Sequence, residues 1–430
     1  MRPYNTKRCN ALKKMTIMEK KRIVLLSHND LLGGAAIVTY RLMKALQELG
    51  HEADMLVFNK TCDNPHVHQL GTRPVRGWRF ISERAGIMMR NGFNRRDLFK
   101  ISTASTGMNI HRHPLVKKAD AIFVNWVNQS TVSLKEMQRI CDMGKPVIWT
   151  MHDMWCMTGI CHHAYSCSNY LQQCGDCPYL GSKAAPGDLS HKIWLKKKKL
   201  YDSTDIRFVA VSNWVKQCAH NSSLLRDKDI TVIHNAFPSD LFRTYSDKPF
   251  TTETRNRFKN IIAFGAAKLD DPVKGLTYAI DALNILMDEA PDIAAGSIAV
   301  FFGKTDRDDL FRKLRFPHLA CGTINDHTVL HQLLVQTKVI LSTSLYETLG
   351  GTLIEGMSAG ATPVSFGRGG QTDIIDHKVT GYIAEYCNPR DVAEGIKWAL
   401  TANLDREKQH ETIRRRFNAN DIALRYLSLI

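Results

Sequence analysis

The sequence lacks any apolar run long enough to cross a membrane. Its 430 residues contain no stretch of the roughly 18 to 20 consecutive apolar residues that a membrane-spanning helix needs, which predicts a soluble or peripheral protein. Short repeats and low-complexity tracts are also missing, and the 44% hydrophobic and 23% charged residues match an ordinary globular protein. This balance excludes a disordered, collagen-like or coiled-coil chain, and the length predicts two large domains.

The first residues lack the apolar core of a secretion signal. Residues 1–22 carry eight Lys or Arg against one Glu, so they supply +7 of the net charge of +16. We expect residues 1–21 to form a basic, disordered arm, and the protein to be cytoplasmic, free or peripheral on the inner face of the membrane. A positive excess attracts polyanions, but no nucleic-acid-binding motif or aromatic stacking pattern accompanies it, so we expect no nucleic-acid partner.

Short apolar runs alternate with amphipathic stretches along the chain. This is the pattern of β-α units in a parallel sheet that helices cover on both faces. The first series of predicted strands comprises Arg22–Ser27, Ala53–Phe58, Ala121–Trp126, Pro146–Met151, Arg207–Val211 and Thr231–His234. The second comprises Ile261–Gly265, Ile298–Phe302, Val339–Ser342 and Thr362–Ser365. The prediction is an α/β protein of two doubly wound, Rossmann-like domains that face a shared cleft.

A polar stretch without periodicity separates the two series and predicts a linker at 241–259. The N-terminal domain is predicted over 22–240, with a Cys-rich insert at 156–190. The C-terminal domain is predicted over 260–410. Residues 411–430 are predicted to form a helix that packs back on the N-terminal domain.

The strongest local signal is the segment from Glu347 to Glu355, ETLGGTLIE, which follows a predicted strand. If Gly350 and Gly351 open a helix, their N–H groups point out of its N-terminus and can hold anionic or hydroxyl oxygens. The two carboxylates then line one cleft at different depths, and carboxylates suit bidentate hydrogen bonds to vicinal sugar hydroxyls. Taken alone, the pair is better explained by one Glu that stabilises the helix dipole and another that is solvated.

The wider segment, STSLYETLGGTLIEGMSAGATPVSFGRGGQTDIIDHKVTGYIA over 342–384, closely resembles the E-x7-E segment of retaining glycosyltransferases of family 4, which have the GT-B fold. The resemblance runs from about residue 22 to about residue 400 and implies an enzyme of the bacterial surface-polysaccharide type. Its other matches are Gly33-Gly34, His152-Asp153, Ser212-Asn213-Trp214, His234-Asn235 and Lys274-Gly275.

The resemblance implies that the N-terminal domain lies on the acceptor side and that the C-terminal domain binds a nucleotide-sugar. It also implies a role for each matching residue. Glu355 would bind the ribose hydroxyls of a nucleotide-sugar donor, and Glu347 would hold the transferred sugar together with backbone amides. Lys274 would neutralise the diphosphate, and His152 would contact the donor sugar. The predicted catalytic residues are Glu347, Lys274 and His152. The predicted donor-binding residues are Gly33, Gly34, Lys268, Leu349, Gly350, Gly351, Thr352 and Glu355.

One position departs from the family pattern. The family carries an Arg that pairs with the Lys on the diphosphate, and Ala266 stands at that place here. Lys268 and Arg368 are the candidates to take the place of this Arg. If neither does, fewer positive charges hold the diphosphate.

Eleven cysteines are many for an intracellular enzyme, and five fall within 156–177. Their core spacing is C-x5-C-x6-C-x2-C, and the Cys-Gly-Asp-Cys-Pro turn resembles a zinc knuckle. The predicted ligands of a structural zinc ion are Cys161, Cys167, Cys174 and Cys177. Free thiols packed in a loop remain an alternative, and disulfides are disfavoured in a reducing compartment.

The stretch 191–201 sets apolar and aromatic residues around four consecutive lysines. A helix of this composition suits an anionic membrane surface with aromatic anchors. A solvated helix face whose apolar side lies in the core explains the pattern equally well.

These observations predict a retaining, metal-independent hexosyltransferase. It would move a hexose from a UDP- or GDP-linked donor to a glycan or lipid-linked acceptor in cell-surface polysaccharide synthesis, with no cofactor required for catalysis. The alternative is a catalytically lapsed GT-B scaffold that acts as a zinc-dependent binding or regulatory protein, which Ala266 and the cysteines favour.

Overall fold

The computed structural model describes residues 19–238 and 257–430. The predicted basic arm (1–21) and linker (241–259) lie almost entirely outside these ranges. The described chain forms two parallel sheets, of seven and six strands, each interleaved with helices. The predicted α/β architecture of two doubly wound domains is confirmed.

Seven strands form the first sheet. They are β1 (Arg22–Asn29), β2 (Glu52–Asn59), β3 (Val67–Gln69), β4 (Ala121–Val124), β5 (Val147–Met151), β6 (Ile206–Ala210) and β7 (Ile230–Val232). Their order is β3-β2-β1-β4-β5-β6-β7, and all pairs are parallel. Every residue of β4 and β5 is buried, as expected of strands covered on both faces. The strand order reverses between β1 and β4, where doubly wound sheets bind ligands at the carboxyl ends of their strands.

Six strands form the second sheet. They are β8 (Asn260–Lys268), β9 (Ser297–Lys304), β10 (His318–Ala320), β11 (Thr337–Ser342), β12 (Thr362–Phe366) and β13 (Tyr382–Ala384). Their order is β10-β9-β8-β11-β12-β13, and all pairs are again parallel. The strand order reverses here between β8 and β11, so this sheet too offers a ligand site at its carboxyl edge.

The helices divide between the two sheets. Those of the first domain are α1 (Gly34–Glu48), α2 (Arg73–Arg90), α3 (Pro114–Lys118), α4 (Leu134–Cys141), α5 (Leu189–Asp202) and α6 (Asn213–Asn221). Those that follow are α7 (Leu276–Glu289), α8 (Pro291–Ala295), α9 (His327–Gln336), α10 (Gly351–Ser358), α11 (Pro389–Thr401), α12 (Arg406–Phe417) and α13 (Ala419–Leu427). Among the helices of residues 19–238 and 257–430, none combines the length and apolar character that crossing a bilayer requires.

Helices α1 and α10 begin differently from most of the others. Side chains cap the N-termini of α4, α5 and α6, as Ser133 does when it accepts from the backbone N–H of Glu136. The N-caps of α1 and α10 are Gly33 (φ +90) and Gly350 (φ +107), and no side chain caps either helix. Their first N–H groups therefore remain available to a ligand.

The C-terminal segment differs from its prediction as one helix over 411–430. Asn418 divides it, because its side chain accepts hydrogen bonds from the N–H groups of Asn420 and Asp421 and so starts α13. Helix α12 packs against α10 in the second domain, and α13 packs against α1 in the first. Tyr426 of α13 is buried there, and its hydroxyl lies 2.9 Å from Thr150 Oγ1.

The chain thus returns to the first domain at its end. The N–H of Phe237, next to the last described residue before the gap at 239–256, donates to the carbonyl of Phe417 at 3.0 Å. The end of α12 therefore contacts the first domain directly before α13 packs on it.

Helix α5 does not present aromatic anchors to a membrane. Trp194 and Tyr201 are buried in the core, so the expected anchoring role of these side chains is wrong. Lys197 is entirely buried with them, and its ammonium donates to the carbonyls of Trp155 and Thr158. Burial lowers the pKa of Lys197 to about 7. Helix α5 therefore exposes its other lysines to solvent, while its apolar side packs in the core.

Candidate active site

A cleft of about 990 Å³ lies between the two sheets. The ends of strands β8, β9 and β11 contribute to one wall, and helix α1 forms much of the other. The second domain lines it with predicted site residues, namely Lys274, Glu347, Gly350, Gly351, Thr352 and Glu355. The first domain lines it with Gly34 and with Ile37, Tyr40, Arg41, Lys44 and Glu48 of α1. The structure therefore brings most of the predicted donor-binding residues together.

The N-terminus of α10 opens directly into this cleft. Gly350 has φ +107, a conformation that L side chains rarely adopt, and an added Cβ would lie 3.3 Å from Ile374. A Cβ at Gly351 would meet no atom within 4 Å, so the space beside it is open. No side chain caps the helix and no acidic residue lies in its first turn. The free amides and the helix dipole together favour anionic or hydroxyl oxygens here.

The Gly-rich segment after β12 holds the loop before α10. The N–H of Gly370 donates to the carbonyl of Glu347 at 3.0 Å. A Cβ at Gly369 or Gly370 would lie within 2.4 Å of the carbonyl oxygen of Glu347 or 2.2 Å of that of Thr348. Only glycine allows this close approach, which explains why the motif continues past Glu355.

Lys274 and Glu347 form an ion pair inside the cleft. Lys274 Nζ lies 2.9 Å from Glu347 Oε2, and both side chains are mostly buried. Gly275 (φ +64) makes the approach possible, because a Cβ there would lie 2.0 Å from the carbonyl oxygen of Thr343 at the end of β11. The charge of Glu347 raises the pKa of the Lys274 ammonium, which keeps a positive charge in the cleft.

Arg41 of α1 reaches Glu355 of α10 across the cleft. Its Nη2 lies 3.5 Å from Glu355 Oε1, and its guanidinium packs over the ring of Phe237 at 4.8 Å. Burial raises the pKa of Glu355, and the charge of Arg41 opposes that rise. Sequence reasoning missed Arg41, because an Arg within an amphipathic helix carries no signal that separates a cleft residue from a solvated one.

Neither candidate substitute for the missing family Arg enters the cleft. The methyl group of Ala266 lines the wall. Lys268, predicted to contact the donor, is half exposed and does not line it, because its ammonium pairs with Asp306 at 3.2 Å and Asp270 at 3.7 Å. Arg368 is exposed and packs over the ring of Tyr386. Among the described residues, the lysines and arginines that line the cleft are instead Arg41, Lys44 and Lys274.

Leu349 is 2% exposed, and its side chain packs in the apolar core rather than in the cleft. Only its backbone amide is left for the predicted donor contact. Thr352, the second residue of α10, lines the cleft.

A second pocket of about 360 Å³ adjoins the cleft at Gly34, which lines both. Gly33 and His152 lie here, so His152 is separated from Lys274 and Glu347. His152 Nε2 is 3.0 Å from Asn125 Oδ1, and burial lowers the pKa of the imidazole to about 4. The ring is therefore neutral at physiological pH.

Asp153 also lines the second pocket, where its carboxylate contacts two neighbouring side chains. Its carboxylate accepts from Trp126 Nε1 at 2.7 Å and lies 2.7 Å from His162 Nδ1. Burial alone would raise its pKa, but the neighbouring His162 and further contacts lower it to about 2. His162, which stands in the Cys-rich insert, is thereby tied to the end of β5.

The four predicted zinc ligands lie together in the structure, and zinc binding by them stays a prediction. Cys161, Cys167, Cys174 and Cys177 line one small cavity of about 20 Å³, and none is in a disulfide. Across residues 19–238 and 257–430, however, no group of three or more His, Cys, Asp or Glu side chains is arranged to hold a metal ion. Burial raises the pKa of Cys174 to about 11 and that of Cys177 to about 12, which favours neutral thiols in this arrangement. The arrangement agrees with thiols packed in a loop.

Two family descriptions match the chain in succession. Residues 32–241 match Glycosyltransferase Family 4, and residues 259–416 match Glycosyl transferases group 1. The first match covers β2 to β7 of the first sheet, and the second covers all six strands of the second sheet.

Two curated relatives share part of the chain. It is 24% identical over 244 residues to WcaC of Escherichia coli (strain K12), a glycosyl transferase assigned to colanic acid biosynthesis, and the match covers 53% of this chain and 57% of WcaC. It is 26% identical over 160 residues to spore coat protein SA of Bacillus subtilis (strain 168), covering 34% of this chain and 42% of that protein. The matches thus span about half the length of these relatives.

Solved structures share the whole fold. The crystal structure of Anabaena HepE in complex with UDP and glucose has a TM-score of 0.60 at 16% identity, over 95% of this chain and 98% of that one. WaaG, a glycosyltransferase involved in lipopolysaccharide biosynthesis, has a TM-score of 0.61 at 11% identity, over 95% and 99%. At these identities the likeness establishes the fold. From its two consecutive family matches and its shared two-sheet architecture, the chain belongs to glycosyltransferase family 4 and has the GT-B fold.

Proposed function

We propose that the protein is a retaining glycosyltransferase that moves a hexose from a UDP- or GDP-linked donor to a glycan or lipid-linked acceptor in cell-surface polysaccharide synthesis. The observation that carries the proposal is the Lys274–Glu347 ion pair, 2.9 Å long, beside the uncapped N-terminus of α10 in one interdomain cleft. A cation, a carboxylate and oriented amides in the same space match the needs of a sugar attached to a diphosphate.

Lys274 acts on the leaving group. As the bond between the anomeric carbon and the phosphate oxygen breaks, negative charge grows on the diphosphate, and a fixed cation stabilises it. The amides at Gly350 and Gly351 add dipolar stabilisation from the same side. Glu347 accepts hydrogen bonds from hydroxyls of the sugar, and Glu355 accepts them from the ribose.

Retention of configuration follows from where the acceptor attacks. Its hydroxyl oxygen bonds to the anomeric carbon on the face that the diphosphate leaves, and the leaving phosphate oxygen takes the hydroxyl proton. This scheme uses no carboxylate nucleophile. It also needs no divalent metal, because Lys274, Arg41 and the end of α10 supply the positive charge.

The second pocket is suited to the acceptor, because it meets the cleft at Gly34. His152 and His28 line it, and burial lowers the pKa of each to about 4, so both are neutral there. Neutral imidazoles and the Trp126 ring suit sugar hydroxyls and sugar faces. His152 is thus assigned to the acceptor side rather than to the donor sugar.

The relatives support this choice of substrates. HepE was crystallised with UDP and with UDP-glucose, and WcaC is assigned to colanic acid biosynthesis. UDP-sugars are therefore the first donors to test.

A donor screen followed by product analysis tests the proposal. Thermal unfolding with UDP- and GDP-sugars is expected to show stabilisation by at least one of them, since a ligand that binds only the folded state raises its stability. Transfer from that donor to glycan acceptors is then followed by proton NMR of the anomeric signal. Failure of every UDP- and GDP-sugar to bind, or a product of inverted configuration, would refute it.

A further inference from the structure

One side chain of the Cys-rich insert, His163, reaches the wall of the second pocket. The chain is extended just before it, since Cys161 pairs with Ile101 in an antiparallel bridge. The intervening His162 is held on one side, because its Nδ1 lies 2.7 Å from the carboxylate of Asp153. Successive side chains of an extended segment point to opposite sides. The side chain of His163 is therefore directed toward the second domain.

The ring of His163 packs against Tyr346 of the second domain. The two ring centroids lie 4.9 Å apart at an interplanar angle of 68°. Tyr346 is buried and directly precedes Glu347, the carboxylate that pairs with Lys274. The charges of that ion pair act on the His163 ring, and so does the charge of Asp153 in the second pocket. His163 therefore lies between the ion pair of the cleft and the pocket suited to the acceptor.

Packing alone does not account for a histidine at this place. Two further rings of the first domain, those of Tyr165 and Trp214, lie 5.4 and 4.9 Å from the ring of Tyr346, so the surroundings are aromatic and would accept a phenyl ring. Within the described part of the chain, the His163 ring makes no hydrogen bond, and its Nδ1 is buried without a partner. A buried polar atom without a partner is unfavourable. The polar edge of the ring is therefore left for a ligand of the pocket.

We infer that His163 binds a hydroxyl of the acceptor sugar and so determines which acceptor hydroxyl attacks. The inference rests on the proposed function and deepens it, because it assigns the choice of linkage to a residue of the Cys-rich insert. An imidazole N–H donates to a hydroxyl oxygen in either protonation state. The bound hydroxyl is a neighbour of the attacking one, whose proton goes to the leaving phosphate. Once His163 holds the neighbour, the sugar is oriented with one particular hydroxyl toward the anomeric carbon.

Acceptor kinetics of His163 variants test the inference. The probes are a panel of methyl hexosides, used with the UDP- or GDP-sugar that binds the wild type. His163→Phe keeps an aromatic ring against Tyr346 and removes both nitrogens, so the KM for the preferred hexoside should rise about tenfold. Proton NMR of the product should then show a second linkage. Donor affinity, and the slow transfer to water without an acceptor, should match the wild type. His163→Gln keeps an N–H donor and should raise KM less.

Tyr165 provides a matched control. Its ring packs on the same Tyr346 ring, and it is absent from the described residues that line the second pocket. Tyr165→Leu should therefore leave the acceptor KM and the linkage unchanged. Thermal unfolding of His163→Phe should match or exceed that of the wild type, because an apolar ring replaces a buried polar atom without a partner.

Four results would overturn the inference while the donor site stands. An unchanged acceptor KM and linkage in His163→Phe would show that the ring nitrogens do not contact the acceptor. Equal effects of Tyr165→Leu would reduce the role of His163 to packing. Joint loss of transfer to hexosides and to water would show that His163 supports the Glu347 loop instead.

The fourth result is donor binding by the wild type without saturation by any hexoside, which would show that the second pocket does not hold a sugar. Absence of donor binding is a different failure, because it refutes the proposed function and the inference with it.

Discussion

The guanidinium of Arg41 and the carboxylate of Glu355 meet at 3.5 Å across the cleft, one from each domain. The carboxylate assigned to the donor ribose is therefore already held by a cation before any ligand arrives. The pair links the position of the first domain to the ionisation of a group in the second.

Replacing Glu355 by Ala is expected to weaken donor binding about 10- to 100-fold, because hydrogen bonds from ribose hydroxyls to a charged acceptor are lost. Calorimetric titration of the donor measures the loss. Circular dichroism and thermal unfolding should match the wild type. Wild-type donor affinity in Glu355→Ala would refute the site assignment.

Replacing Arg41 by Met should move the acid limb of donor binding to higher pH. Burial raises the pKa of Glu355 and Arg41 opposes the rise, so without Arg41 the carboxylate is protonated at a higher pH. Donor affinity measured from acidic to neutral pH reports the shift. Arg41→Lys keeps the charge and should restore much of the profile.

The neighbouring His327 also lowers the pKa of Glu355. The Arg41 comparison is therefore made with His327→Gln in every variant. A pH profile that does not move when Arg41 is replaced would contradict the coupling.

Lys274→Ala should lower kcat by about 100- to 1000-fold, because a group that stabilises transition-state charge is removed. Its effect on stability should be much smaller. Lys268→Ala is the matched control, since that lysine is half exposed and paired outside the cleft. Equal turnover in the two variants would remove the proposed role of Lys274.

Substitutions at the adjacent Gly350 and Gly351 distinguish the effect of backbone strain from the effect of ligand contact. Gly350→Ala should cost roughly 1 to 2 kcal/mol of stability, because alanine is strained at positive φ. Gly351→Ala should leave stability unchanged or higher, since no atom lies within 4 Å of its added Cβ, yet it should weaken donor binding by filling the cleft. Thermal unfolding and donor titration of both variants test this reversal; donor affinity unaffected by Gly351→Ala would place the ligand elsewhere.

Transfer should survive chelation. Because protein cations and a helix terminus are assigned the role of a metal at the diphosphate, a chelator is expected to leave the initial rate unchanged. Parallel assays with added Mg²⁺ or Mn²⁺ provide the control. A rate that the chelator abolishes and a divalent ion restores would contradict the scheme.

Much of the fold was predictable, because its strands are continuous apolar runs of the kind that covered parallel sheets produce. The short edge strands β3, β10 and β13 escaped prediction, since three residues show a period only weakly. The burial of Lys197 could have been predicted from the sequence. It lies four residues from both buried Ile193 and buried Tyr201, so helical spacing alone puts it on their face. Helix α2 was missed although its apolar residues are periodic, because they sit among many arginines.

The site was predictable where one segment carries it and not where two domains meet. Glu347, Gly350, Gly351 and Glu355 belong to one loop and helix, so their spacing already fixes their arrangement. The contact of Arg41 with Glu355 depends on how the sheets face one another, which local spacing does not encode. Lys268 differs from its prediction for another reason, because Asp270 and Asp306 of its own domain hold its ammonium outside the cleft.

The hydrogen bond from the Phe237 N–H to the Phe417 carbonyl ties the first domain to the end of α12. The ring of Phe237 also carries the guanidinium of Arg41, which in turn reaches Glu355 of the second domain. One aromatic residue therefore supports both a junction of the two domains and a charged contact inside the cleft, so removing its ring disturbs the two together.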